Sequence, residues 1–185
     1  MSHSISISRA ARGAGVIALM GLLAACAGGA QPSADAGTEA ATPPEVNVTD
    51  GYAVHGYDVV AYFTQGAPVE GVDAYTAEYQ GATYRFANAE HRDLFAAAPQ
   101  RYAPAYGGYC AFGTAQGRKF DGDPEAWTIH NDTLYLNLNT NVRSRWQKDI
   151  PGYVRGADNN WALIQGLDDA TLQSEPPEGL TLGAQ

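Results

Sequence analysis

The sequence predicts an α+β fold, a small single domain of two β-hairpins interleaved with short helices. Segments of alternating polarity flank two turn dipeptides, and stretches with helical spacing lie between and after these hairpins. Every Phe, Trp and Tyr lies between Tyr52 and Trp161, which sets the globular domain at residues 51–165. Hairpins interleaved with helices are typical of small α+β domains.

The first hairpin follows a short apolar run. Residues 58–64 are largely apolar, and the run is short enough to form either a strand or a helical turn. Residues 74–79 and 83–87 alternate in polarity around Gln80-Gly81, a dipeptide that favours a tight hairpin turn. We therefore expect an antiparallel pair of strands at this point.

A helix is expected directly after the first hairpin. Asn88 can cap it, Glu90 lies in its first turn, and Pro99 marks its end. The remaining predicted elements are a second hairpin with strands 127–130 and 133–138 around Asn131-Asp132, and helices over 141–148 and 154–164.

Residues 1–25 have the pattern of a bacterial lipoprotein signal peptide. Arg9 and Arg12 precede an apolar stretch too short to span a bilayer, and Leu23-Ala24-Ala25-Cys26 looks like a lipobox. In such signals the cysteine is lipidated and becomes the new N-terminus, so Cys26 is expected to anchor the chain to a membrane. The alternative is an ordinary signal peptide cleaved nearby, with Cys26 incidental. Either way we expect the bacterial cell envelope, and for a lipoprotein of a Gram-negative host the outer membrane facing the periplasm.

Composition indicates what flanks the domain and excludes one class of partner. Residues 26–50 are mostly small residues, prolines and acids, which predicts a flexible linker after the lipidated cysteine. Residues 166–185 are expected to be a tail. The formal net charge is −9, and no basic cluster offers contacts to phosphates, so no nucleic-acid partner is expected.

Short motifs follow one another in a characteristic order through the predicted domain. They are Gly56-Tyr57-Asp58-Val59-Val60-Ala61-Tyr62-Phe63, Tyr84-Arg85-Phe86, Glu90-His91-Arg92-Asp93-Leu94-Phe95, Tyr106-Gly107-Gly108-Tyr109-Cys110-Ala111, Gly122-Asp123-Pro124 and Leu134-Tyr135-Leu136-Asn137. In this order they resemble the YHS-domain family, in its exported bacterial subgroup, over residues 52–162. The resemblance implies a small α+β, YHS-like domain at 51–165, but it does not settle the activity because one fold hosts many functions.

The same resemblance implies a link to metals. Cysteine-containing YHS domains occur beside heavy-metal transport ATPases, but here the three cysteine positions of that branch hold Ala61, Ala87 and His91. This departure argues against a thiolate site at those three positions. His91 and Cys110 remain as donors that suit copper or zinc. They are the candidate metal ligands, against the alternative of a core histidine and a buried inert thiol.

Tyr57 and Asp58 are candidate structural or ligand-binding residues at the start of the first element. An aspartate there can accept hydrogen bonds from nearby N–H groups or from a tyrosine hydroxyl, which favours a structural role. No phosphate-binding loop, nucleophile elbow or zinc-protease motif occurs in the chain, so an enzyme is not the expected class.

Three functions remain open at this stage. The first is an envelope-tethered lipoprotein that binds or buffers a soft metal ion such as Cu(I). The alternative is a non-catalytic module that binds a small ligand, a glycan or an envelope protein. The third is a thiol enzyme or redox sensor, which needs an accessible Cys110 with a low pKa. Protein partners, if any, are not indicated by the sequence.

Overall fold

A computed structural model of the 185-residue chain describes residues 45–182. The predicted signal peptide, Cys26 and the linker up to residue 44 lie outside the described residues. Across residues 45–182, no helix is both long enough and apolar enough to cross a bilayer.

Strands of the described chain form three two-stranded antiparallel sheets. The strands are β1 (Val48–Thr49), β2 (Tyr52–Ala53), β3 (Val72–Tyr79), β4 (Ala82–Phe86), β5 (Asp123–His130) and β6 (Thr133–Asn137). The pairs β3–β4 and β5–β6 confirm both predicted hairpins, and β1–β2 is a short additional pair. The predicted α+β class is therefore confirmed.

Both predicted turn dipeptides adopt the left-handed conformation that a tight hairpin requires. In the first turn φ is 50° at Gln80 and 73° at Gly81, and in the second it is 49° at Asn131 and 57° at Asp132. Two central residues with positive φ match the twist of the flanking strands. The local sequence therefore sets the register of each hairpin.

Seven α-helices lie among the described residues. They are α1 (Ala61–Thr64), α2 (Ala89–Ala97), α3 (Pro99–Tyr102), α4 (Ala111–Ala115), α5 (Thr140–Trp146), α6 (Ile150–Ile164) and α7 (Asp169–Ser174). Short 3-10 turns occupy Val54–Gly56 and Ala105–Gly108. The ambiguous apolar run at 58–64 thus becomes a turn followed by the single helical turn α1.

Side-chain caps explain where the main helices begin. The Asn88 side chain accepts from the His91 N–H at the start of α2, as predicted. Asn139 caps α5 in the same way, and Asp149 caps α6. Pro99, which begins α3, marks the end of α2.

Two hydrophobic clusters form the core. The first joins β2, the β3–β4 hairpin, α1, α2 and β6, and its largest fully buried members are Tyr62, Tyr84, Phe86, Phe95, Leu134 and Leu136. The second surrounds the fully buried Trp146 and is made by α4, α6 and neighbouring residues of β6. The second cluster positions the surface described below.

The packed domain extends beyond the predicted limits of 51–165 at both ends. Val46 is fully buried, within the segment predicted as linker, and β1 follows it. Within the predicted tail, Leu172 of α7 is buried, and the backbone of Thr181 exchanges hydrogen bonds with the buried Asn160 side chain. The distribution of aromatic residues did not predict these two ends of the domain. Aliphatic packing and hydrogen bonds of an amide side chain, rather than aromatic rings, hold them in place.

Candidate functional site

Asp58 and His91 form a buried pair at the junction of α1, β4 and α2. Asp58 is fully buried, and its Oδ2 lies 2.6 Å from His91 Nδ1. The other carboxylate oxygen accepts from the N–H groups of Val60 and Ala61, and Oδ2 also accepts from the Ala87 N–H. Asp58 thus accepts from three backbone N–H groups, the kind of bonding that the sequence favours for it.

The second ring nitrogen of His91 is also occupied. Its Nε2 lies 3.2 Å from Thr64 Oγ1, and that hydroxyl also lies 3.1 Å from the Val60 carbonyl oxygen. His91 is 6% exposed, so little of the imidazole is open to a ligand. An imidazole engaged at both nitrogens has no free lone pair for a metal ion without rearrangement.

Cys110 lies in the N-cap position of α4. Its side chain is 1% exposed, and its Sγ accepts from the Gly113 N–H at 3.3 Å. Burial raises the pKa of the Cys110 thiol, although the backbone hydrogen bonds partly oppose this effect. The thiol therefore lacks the exposure and low pKa that nucleophilic or redox chemistry requires.

His91 and Cys110 are not brought into a common cluster by their contacts. His91 contacts Asp58 and Thr64, whereas Cys110 contacts Gly113 and lies near Asn137. In the range 45–182, no group of three or more His, Cys, Asp or Glu side chains could hold a metal ion. The geometry of these residues thus lends no support to the expected copper or zinc site.

Tyr57 and His55 line a different surface cavity, of about 330 Å³. Among the described residues, no side-chain hydrogen bond joins Tyr57 to Asp58. Burial and the nearby Glu70 carboxylate raise the pKa of the Tyr57 phenol. The His55 Nε2 lies 2.9 Å from Asp121 Oδ1, and the backbone φ of His55 is 53°. Two of the six residues that line this cavity, Asp121 and Asp123, are acidic.

Another cavity lies where α4, α5 and α6 meet. It has a volume of about 570 Å³ and is lined by Phe112, Gln116, Arg145, Lys148 and Tyr153, a set that we call the basic cleft. The rings of Phe112 and Tyr153 lie 5.1 Å apart, tilted by 58°. A cavity of this size falls within the range of about 300–1,000 Å³ that small-molecule sites occupy.

Local packing fixes the elements that carry the basic cleft. Trp146 is fully buried one position after Arg145, and it anchors α5 against the Tyr135 ring at 5.1 Å. On α4, the Phe112 N–H donates to Asn137 Oδ1 at 3.3 Å. The two aromatic residues of the cleft therefore lie on well-packed helices, whereas the Arg145 and Lys148 side chains are exposed to solvent.

The charges of the basic cleft are uncompensated by the described chain. Arg145 and Lys148 are exposed, and the ion pairs within residues 45–182 all involve other side chains. The Nε2 of Gln116 is buried without a hydrogen-bond partner among those residues. The cleft thus combines two free cations, one unpaired amide donor and two aromatic rings.

None of these residues is among the candidate site residues that the sequence predicts. A usable signal was present, because Arg143, Arg145 and Lys148 place three of the 11 basic residues within six positions of an acidic chain. No comparable sequence pattern indicates that Phe112 and Gln116 line the cleft. They reach the cleft through the packing of α4 on α6, which no local pattern reveals.

Compared with protein-family models, with curated proteins and with solved structures, the chain gives no significant match. The YHS-domain resemblance therefore stays a prediction that rests on the motifs quoted above.

Proposed function

We propose that this chain is an envelope-tethered, non-catalytic binding module whose basic cleft takes a small anionic ligand with an aromatic or apolar body. The observation that carries the proposal is the 570 Å³ cleft with two unpaired cations beside two rings. The predicted lipid on Cys26 supplies the tether, and the folded domain supplies the recognition surface.

The chemistry of the lining matches such a ligand. The Arg145 guanidinium offers a planar fork of N–H donors for a carboxylate or phosphate, and Lys148 adds a second positive charge. The Phe112 and Tyr153 rings would cover the apolar body. Rotation of the Gln116 amide toward a ligand oxygen would give its unpaired N–H group a partner.

Binding is favoured over turnover by what the cleft contains. Its described lining includes no Ser, Thr, Cys or His that could act as a nucleophile or general base. Elsewhere, Cys110 is buried with a raised pKa, and the His91 ring has both nitrogens engaged. These observations support a module that captures its ligand unchanged.

Isothermal titration calorimetry with matched probes tests the cleft. The probes are phenyl phosphate and benzoate, with benzyl alcohol as an uncharged control of similar shape. The variants are Arg145→Gln and Lys148→Gln. Arg155→Gln removes an exposed charge of α6 that does not line the cleft and serves as the matched control.

We expect the anionic probes to bind and benzyl alcohol to bind much more weakly. A charge-assisted hydrogen bond contributes about 1.5–3 kcal/mol, so loss of either cation should weaken affinity about 10- to 150-fold. Arg155→Gln should leave affinity unchanged. Equal affinity for charged and uncharged probes, or equal loss in all three variants, would contradict the proposal.

The tether has its own test. Incorporation of radiolabelled palmitate into the wild-type chain, and its loss in Cys26→Ser, would support lipidation at this cysteine. Labelling that persists in Cys26→Ser would refute Cys26 as the lipidated residue without bearing on the cleft.

A further inference from the structure

A second cavity, of about 270 Å³, opens between the 3-10 turn Ala105–Gly108, the first hairpin turn and α6. We call it the amide groove, because three glutamines (Gln80, Gln100, Gln165) and three aromatic residues (Tyr79, Tyr106, Trp161) dominate its lining. None of these six residues lines the basic cleft. The groove is therefore a separate candidate site.

The aromatic rings of the groove are held in fixed positions. The Tyr106 ring lies 5.9 Å from the Trp161 ring and 6.0 Å from the Tyr135 ring. Its hydroxyl donates to Asp158 Oδ1 at 2.9 Å. These contacts leave the rings little freedom, which lowers the entropic cost of stacking a ligand against them.

The backbone beneath these rings is strained. Tyr106 has φ 54° and Gly107 has φ 60°. A bulky residue in the left-handed region costs about 1–3 kcal/mol, and such conformations concentrate at functional sites. At Gly107 a Cβ would collide with the Glu45 carbonyl, so the segment before β1 passes directly over this turn.

The polar groups of the groove are almost all neutral. Gln80 and Gln100 are exposed, and Gln165 is held through its backbone carbonyl, which accepts from Lys119 Nζ at 2.7 Å. Glu45 is the only charged residue of the described lining, and Lys119 lies close enough to interact with it electrostatically. The lining therefore carries one carboxylate and offers no cation that could hold an anion.

From this arrangement we propose that the amide groove binds a neutral saccharide. Amide side chains both donate and accept hydrogen bonds, as a sugar hydroxyl does, whereas fixed aromatic rings pack against the C–H faces of a pyranose. A lipid would leave the amides unpaired, and an anion would meet the Glu45 carboxylate. For a domain tethered in the envelope, the fitting ligand is a short stretch of neutral glycan.

The test uses the mature protein purified in a zwitterionic, sugar-free detergent. Chitotriose and maltotriose are the probes, titrated by calorimetry and by tryptophan fluorescence, because Trp161 lines the groove. Gln100→Ala and Gln80→Ala remove exposed groove amides without disturbing the core. Gln173→Ala removes an exposed amide of α7 outside the groove and is the matched control.

We expect at least one trisaccharide to bind with a Kd of about 1 mM or tighter. Gln100→Ala and Gln80→Ala should each weaken that binding severalfold, with no change in Gln173→Ala. No binding of either trisaccharide, or binding that is indifferent to both groove variants, would overturn the proposal.

Arg145→Gln separates the two sites. It should leave trisaccharide binding intact while it weakens phenyl phosphate binding. Parallel loss of both ligands would show that the groove and the cleft are not independent, which would also overturn the assignment of a distinct saccharide site.

Discussion

Asp58 joins three parts of the chain through one carboxylate. It accepts from the N–H groups at the start of α1, from the Ala87 N–H after β4 and from the ring of His91 on α2. A fully buried carboxylate is tolerated only when such partners replace the water it has lost. Asp58 therefore links α1, the end of β4 and α2 through hydrogen bonds.

Replacing Asp58 with Ala should therefore be strongly destabilising. It leaves buried N–H donors unpaired, and each donor that loses its partner costs about 1–3 kcal/mol. The measurement is the free energy of unfolding from urea titration. Asp93→Ala, which removes a largely exposed carboxylate paired with Arg92, should change stability by no more than about 0.5 kcal/mol. Similar stabilities for the two variants would refute this role of Asp58.

The acceptor role of Asp58 could be predicted because the residue precedes an apolar run and local N–H groups lie within reach. Its pairing with His91, 33 positions later, could not. That contact depends on how α2 packs beside α1, and sequence spacing across a hairpin does not determine such packing. The same limit concealed the fact that Thr64 occupies the other ring nitrogen of His91.

Alkylation measures the accessibility of the Cys110 thiol. In a Cys26→Ser chain Cys110 is the only thiol. Its 1% exposure and raised pKa should slow alkylation by iodoacetamide at least about tenfold in the native state relative to urea. Equal alkylation rates in the native state and in urea would show an accessible thiol and would favour a thiol enzyme or redox sensor.

Elements with strong local signals were predictable, and elements without them were not. Both hairpins follow from their turn dipeptides, and α2 follows from its Asn88 cap and Pro99. The two-residue strands β1 and β2 and the six-residue helix α7 are too short to give a periodic pattern. They are stable because they pack against the rest of the domain, which sequence periodicity does not report.

The helix α7 and the chain after it should contribute measurably to stability. Deleting residues 166–185 exposes the surroundings of Leu172 and removes the Thr181 backbone from Asn160. Burial of a leucine contributes about 1.5–3 kcal/mol, and an amide left without its partners adds about 1–3 kcal/mol. We expect a clear fall in the urea midpoint.

Two point variants calibrate that deletion. Leu172→Ala should give an intermediate loss of stability, whereas Gln173→Ala, on the exposed side of α7, should be close to neutral. A deletion no more destabilising than Gln173→Ala would mean that 166–185 is the tail that the sequence predicted.

For the molecule as a whole, the charge distribution and the buried hydroxyls set its behaviour in solution. A formal charge of −9 repels anions at long range, so the basic cleft must act locally, within about the 8–10 Å Debye length of ordinary salt. Several tyrosines are packed in the core, and burial raises the pKa values of Tyr62, Tyr84 and Tyr106. These buried phenols make stability sensitive to alkali.

The raised pKa values of these tyrosines determine whether stability rises or falls in alkali. Because burial raises the tyrosine pKa values only in the folded state, these phenols ionise first in the unfolded chain, near their ordinary pKa of about 10. Stability should be level up to about pH 9 and then fall as the pH rises further. Urea midpoints at several pH values measure this, and a midpoint that rises or stays level above about pH 10 would refute the prediction.

Tyr84→Phe isolates one phenol. The Tyr84 hydroxyl is buried without a hydrogen-bond partner among the described residues, so its removal should not destabilise the protein at neutral pH. The variant should also lose less stability above about pH 10 than the wild type.

If the basic cleft binds a small anion, such a ligand should perturb the residues that line the cleft. The most direct measurement is a ¹H–¹⁵N NMR titration of a Cys26→Ser chain lacking residues 1–25 with phenyl phosphate. We predict saturable shift changes centred on the amides of Phe112, Gln116, Arg145, Lys148 and Tyr153, and their loss in Arg145→Gln. No saturable change, or changes centred elsewhere on the domain, would contradict anion binding in the basic cleft.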